Sequence, residues 1–123
     1  MYLLDTNSII YFLTGDKNAV SLISELFLRN EIVYVPTIVR LELLSKPGLL
    51  RSEHSSIMDF LNSVREINLD TAIADLAAEI RRTYKLKVAD SIIAATTLYT
   101  GSTLVTRNGR DFKNIQNFNI LAI

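Results

Sequence analysis

The chain has no cysteine, a single histidine and only two prolines among its 123 residues. Without cysteine there is no disulfide, no zinc–thiolate site and no thiol nucleophile. That absence fits a reducing cytoplasm, the expected location. The one histidine, His54, sits in the polar stretch Arg51-Ser52-Glu53-His54-Ser55 and reads as surface. A long apolar run is also missing. The longest uncharged stretch, Ser91 to Thr106, carries Gly101 and five threonines. It is too short and too polar to span a bilayer. The start, Met1-Tyr2-Leu3-Leu4-Asp5, lacks a basic region and meets an acid at once, unlike a signal peptide.

Neither sign of charge is in excess, with 13 basic and 13 acidic residues. The distribution is uneven. Residues 1–79 hold 6 basic and 11 acidic side chains, a net of −5, and residues 80–123 hold 7 and 2, a net of +5. The two acids of the basic third are Asp90 and Asp111. Two readings compete: a chance split that folding mixes away, or a cationic rim around an anionic site suited to a polyanionic substrate.

Hydrophobic residues make up 49% of the chain, enough for one core, and the length predicts one domain over 1–123. Short β-rich runs alternate with longer helical patterns. Strands are predicted at Tyr2–Leu4, Ile32–Val35, Ile67–Leu69, Thr103–Val105 and Phe118–Leu121. Helices are predicted at Thr6–Thr14, Ala19–Arg29, Thr37–Ser45, Ser52–Arg65, Thr71–Tyr84 and Val88–Thr100. Such alternation points to a parallel sheet covered by helices on both faces. Ligands of open α/β sheets bind beyond the carboxyl ends of the strands.

Four acids stand out by their surroundings. Asp5 follows Leu3-Leu4, Glu42 lies within Leu41-Glu42-Leu43-Leu44, Asp90 opens an apolar helix, and Asp111 follows Thr106-Arg107-Asn108-Gly109-Arg110. Each has an ordinary alternative. Asp5 reads equally as a helix cap, Glu42 as a flank position reaching water, Asp90 as an N-terminal helix acid, and Asp111 as a turn acid. Together they form a pattern that stability does not explain. Two carboxylates about 4 Å apart repel by roughly 4 kcal/mol at an effective dielectric of 20. A hard divalent cation with oxygen ligands offsets that repulsion. Such an ion lowers the pKa of the water it binds and screens a phosphate. The expectation is a metal-dependent hydrolase acting on a phosphate ester.

The motifs then resemble those of PIN-domain nucleases, in particular the VapC-type toxins of toxin–antitoxin pairs. Leu3-Leu4-Asp5-Thr6-Asn7 matches the opening motif, and Leu104-Val105-Thr106-Arg107-Asn108-Gly109-Arg110-Asp111-Phe112 the closing one. Glu42-Leu43-Leu44 and Asp90-Ser91-Ile92-Ile93-Ala94-Ala95-Thr96 resemble the two between them. The resemblance implies a three-layer α/β/α sandwich and a Mg²⁺- or Mn²⁺-dependent endoribonuclease. Asp5, Glu42, Asp90 and Asp111 take the places of the family's catalytic and metal-binding acids. Thr6, Asn7, Thr106 and Asn108 match polar positions beside them. RNA as substrate, a homodimer and an antitoxin covering the active site are implied as well. So are two alternatives: a PIN nuclease of RNA maturation or decay with no antitoxin, and a metal- or RNA-binding module without catalysis. The chain departs from the family at Val88-Ala89, where a proline often precedes the third acid, and at Ser91, often alanine.

Among the basic residues, Arg107 and Arg110 flank Asp111 and are the candidates for RNA phosphate contacts. Arg81 and Lys85 read as solvated helix charge. Tyr11, Tyr84 and Tyr99 fall in helices, where core packing is expected. Ile9, Ile10, Phe12 and Leu13 with Leu22, Ile23, Leu26 and Phe27 give two very apolar helices, serving a core or a partner surface.

Overall fold

The computed structural model describes all residues from Met1 to Ile123. Five parallel strands form one sheet: β1 (Tyr2–Leu4), β2 (Val33–Pro36), β3 (Arg65–Ile67), β4 (Thr103–Thr106) and β5 (Asn119–Ala122). Six helices flank it: α1 (Thr6–Leu13), α2 (Lys17–Leu28), α3 (Thr37–Leu44), α4 (Arg51–Asn62), α5 (Thr71–Tyr84) and α6 (Val88–Thr100). A 3-10 turn over Gly109–Asp111 follows β4. No helix is long and apolar enough to cross a membrane.

The spatial order is β3-β2-β1-β4-β5. The chain therefore winds outward from β1 to one edge, then returns to β4 and winds to the other. The reversal lies between β1 and β4, and its crevice opens at their carboxyl ends. Leu3, Leu4, Leu104 and Val105 in these two strands are fully buried. Burial on both faces explains why they read as unbroken apolar runs. Each such side chain contributes roughly 1.5–3 kcal/mol of burial. α6 is buried from Ser91 to Thr97, and Ile93, Ala94 and Ala95 join the 23-residue core. Thr96 and Thr97 are tolerated there because their hydroxyls donate to the Ile92 and Ile93 carbonyls at 2.7 and 2.8 Å. Phe60 of α4 packs at 5.3 Å from Phe12 and 6.0 Å from Phe27, binding the two apolar helices α1 and α2 to the core.

Boundaries differ from expectation for local reasons. α2 begins at Lys17 rather than Ala19, because Asp16 caps it through the Ala19 amide at 3.1 Å. α4 stops at Asn62, and β3 occupies Arg65–Ile67 instead of Ile67–Leu69. Glu66 pairs there with Arg40 at 2.9 Å, and Leu69 is left exposed. Pro36 is the last residue of β2 and the cap position of α3, with Thr37 the first helical residue. β5 runs one residue later than expected, Asn119–Ala122. α6 ends as expected at Gly101, whose φ of 66° is left-handed and suits a residue without Cβ. His54 is exposed as expected, and Tyr99 is exposed where core packing was expected.

Candidate active site

The strand register sets the first pair of site residues. Leu4 is opposite Val105, so Asp5 and Thr106 emerge side by side at the switch point. Asp5 is only 7% exposed and caps α1, its Oδ1 accepting the Ser8 amide at 2.9 Å. Thr106 Oγ1 donates to Asp5 Oδ2 at 2.5 Å and accepts the Asn108 amide at 3.0 Å. Asn108 Nδ2 then donates to Asp111 Oδ2 at 2.5 Å. A continuous chain of polar contacts thus runs from Asp5 to Asp111. On the other side, Thr6 Oγ1 donates to Glu42 Oε1 at 2.6 Å and ties α1 to α3. Both readings of Asp5 hold together: it caps a helix and also enters the acidic cluster.

Asp5, Thr6, Asn7, Glu42, Asp90 and Asn108 line one small cleft with Ile93 and Phe112, of about 120 Å³. A second polar cleft of about 200 Å³ shares Asp5, Asn7 and Asn108, and is closed by Tyr11, Thr106 and Arg107. Glu42 is exposed at the rim of the cleft. Asp111 is exposed too.

Asp90 is the electrostatically costly member. Its pKa lies above the ordinary carboxylate value, first through burial and then through repulsion by Asp111 and Glu42; Lys87 opposes the shift and Asp5 adds to it. No hydrogen bond contributes to holding its charge. Asp90 therefore feels the other three acids, two of which, Asp5 and Glu42, line the cleft with it while Asp111 lies outside that lining. No three acidic side chains form a ready-made cation cage, however. Mg²⁺ does not need one, because it takes one or two carboxylates and keeps waters in its remaining positions. The donors are all hard oxygens, with no cysteine in the chain and the one histidine outside the cleft. That set fits Mg²⁺ or Mn²⁺ and suits zinc poorly.

Arg107, an expected RNA contact, has partners within the chain. Its Nη2 pairs with Asp16 Oδ2 at 2.7 Å, its Nε donates to the Ile123 main-chain oxygen at 3.1 Å, and its guanidinium carbon lies 4.0 Å from the Tyr11 ring centroid. The pairing holds the Asp16 carboxyl below its usual range. Arg110 is exposed and enters no ion pair. Sequence reasoning missed Ser8, whose hydroxyl donates to the Val105 carbonyl at 2.9 Å and sews α1 to β4. Its place three residues after a capping Asp was the available signal.

The fold is thus a parallel α/β/α domain with an acidic cleft at its switch point. The family is settled by comparison: the PIN-domain profile matches residues 2–117, and the chain belongs to the PIN-domain family, whose members are nucleases. Solved structures agree on the fold. A VapBC2 structure from Rickettsia felis, bound to a promoter DNA fragment, aligns with TM-score 0.86 and 24% identity over 99% of this chain and 98% of that one. A toxin–antitoxin complex from Klebsiella pneumoniae aligns with TM-score 0.79 and 28% identity over 98% and 96%. FitAcB from Neisseria gonorrhoeae aligns with TM-score 0.78 and 25% identity over 98% and 96%. No curated protein matches the chain.

Proposed function

We propose that this PIN domain is a Mg²⁺- or Mn²⁺-dependent endoribonuclease, acting as the toxin of a toxin–antitoxin pair. The observation that carries the reading is Asp90: a half-buried carboxylate, pressed by three other acids and steadied by no hydrogen bond. A divalent cation resolves that conflict. Asp90 and Asp5 are its proposed ligands, with Glu42 and Asp111 completing the acidic wall. When bound, such an ion would supply charge neutralisation at the scissile phosphate and make water more acidic there. The chain's own residues do the rest. Thr106 and Ser8 fix both oxygens of Asp5, Thr6 turns Glu42 toward the cleft, and Asn108 holds Asp111. Asn7 and Asn108, shared by both clefts, offer amide groups to a nucleotide. Arg110 is the proposed phosphate contact. The experiment is cleavage of RNA by the purified chain with Mg²⁺ or Mn²⁺, and again after chelation. Cleavage that survives chelation sinks the metal mechanism, and no cleavage with either ion sinks the nuclease.

The antitoxin surface follows from an apolar groove of about 430 Å³ beside the cleft. Ile10, Leu13 and Leu43 line it, with Glu42, Lys46 and Glu53 among its polar residues. Glu42 belongs to both groove and cleft, so a segment lying in the groove and carrying a basic side chain reaches the acids. Ile10 is 41% exposed, so its replacement leaves the core intact. Ile10→Glu is expected to weaken binding of the cognate antitoxin by about tenfold or more, the scale of a truncated interface anchor. Calorimetry showing unchanged affinity would remove the groove from the interface.

A further inference from the structure

We infer that Arg107 is a positioning residue that locks the loop carrying Asn108 and Asp111, rather than a contact for RNA. The inference rests on the reading of Asp111 as a site acid.

Arg107 lies between Thr106 and Asn108, the two links in the polar chain from Asp5 to Asp111. Its side chain meets three separate parts of the fold. One is Tyr11 on α1, one is Asp16 at the turn into α2, and one is the backbone beyond β5 at Ile123. Both guanidinium Nη atoms address Asp16, at 2.7 and 3.4 Å. An isolated surface ion pair contributes little, but a forked arginine within a network is the exception. The loop's own ties are short in range: Asn108 bonds Thr106 through its amide and Asp111 through its side chain. The Asp111 amide reaches the Asn108 carbonyl at 3.2 Å and the Phe112 amide the Gly109 carbonyl at 3.0 Å. Without the anchor, the segment between Thr106 and Phe112 depends on these short-range contacts and on the burial of Phe112 at its end.

Lysine distinguishes the two roles. It keeps the charge that a phosphate contact needs, but not the planar fork that bonds Asp16 and Ile123 while lying over a ring. Asp16→Asn distinguishes them independently. Asparagine caps a helix as well as aspartate does, so α2 keeps its start while Arg107 loses its ionic partner.

The test measures amide hydrogen exchange at Asn108, Asp111 and Phe112 in metal-free protein, then kcat and KM for RNA with Mn²⁺. Wild type is compared with Arg107→Lys and Asp16→Asn. Both variants are expected to exchange these amides about tenfold faster, with strand β1 amides unchanged. Both are expected to lower kcat several-fold while KM stays within about twofold. Wild-type exchange and kcat in Arg107→Lys would overturn the inference. So would an Asp16→Asn variant that leaves the loop unchanged. Absence of RNA cleavage by wild type would defeat the nuclease reading, yet the exchange comparison would still decide the anchor.

Discussion

Asp90→Asn is expected to lower metal-dependent RNA cleavage by about 10²–10³-fold, the rate equivalent of several kcal/mol of metal-assisted charge stabilisation. The same substitution is expected to stabilise the metal-free protein, by a quantity on the order of 1 kcal/mol. The opposite signs follow from one cause. Without a bound cation Asp90 bears desolvation and repulsion from Asp111, Glu42 and Asp5, and asparagine removes the charge while keeping the shape. A structural acid would behave in the reverse way, losing stability on amidation.

The pH dependence gives this a sign that a single-pH measurement lacks. The folded-state pKa of Asp90 lies above its ordinary value of 3.8. Below that value both states hold the proton and the group costs nothing. As pH rises from 3.8 through the raised folded pKa, the unfolded chain releases its proton first, so the folded state loses relative stability. Above the folded pKa the penalty is constant. The stability gap between Asp90→Asn and wild type should therefore be small near pH 3 and widen above pH ~4. Comparing variant with wild type cancels the contributions of Asp16 and Glu53, whose lowered values act in the opposite direction. Mg²⁺ should narrow the gap by stabilising wild type alone. Chemical denaturation at several pH values, with and without Mg²⁺, reads all three; a gap unaffected by pH and Mg²⁺ would refute the role.

The parts of this architecture visible in the sequence are those governed by short-range rules. β1 and β4 announce themselves as apolar runs because both their faces are buried, and Asp5 as a cap because its partner is Ser8. The edge strands β3 and β5 are less legible. They are short and partly exposed, and their registers depend on neighbours far away in sequence, such as Arg40 against Glu66. The same distinction holds within the site. Asp5, Glu42 and Asp90, which line one cleft, were readable because each follows or interrupts an apolar element. The occupation of Arg107 was not, since Tyr11, Asp16 and Ile123 meet it only through the sheet order. One charge of the apparent asymmetry has the same fate: Arg107, from the basic third, neutralises Asp16 from the acidic part.

Thr106→Val is expected to destabilise the protein by about 2–3 kcal/mol, although the shape of the side chain is retained. Thr106 is fully buried, and its hydroxyl makes the 2.5 Å hydrogen bond to Asp5 as well as accepting the Asn108 amide. A methyl group replaces neither contact. Asp5 is left in a site only 7% exposed with the Ser8 amide as its remaining donor. A hydrogen bond to a charged group is worth about 1.5–3 kcal/mol, and an orphaned buried acceptor adds its desolvation. Activity should fall about 10–100-fold, as for other residues that orient a metal ligand. Thr106→Ser separates the two effects. It keeps the hydroxyl and loses one buried methyl, so it should cost only about 1 kcal/mol and retain most activity. Divalent ion should rescue Thr106→Val incompletely, because the substitution disturbs Asp5 and Asn108 together. If Thr106→Val unfolds at the wild-type denaturant concentration, Asp5 is held by something other than this hydroxyl. The polar chain from Asp5 through Thr106 and Asn108 to Asp111 would then be a consequence of the site's geometry, not its support.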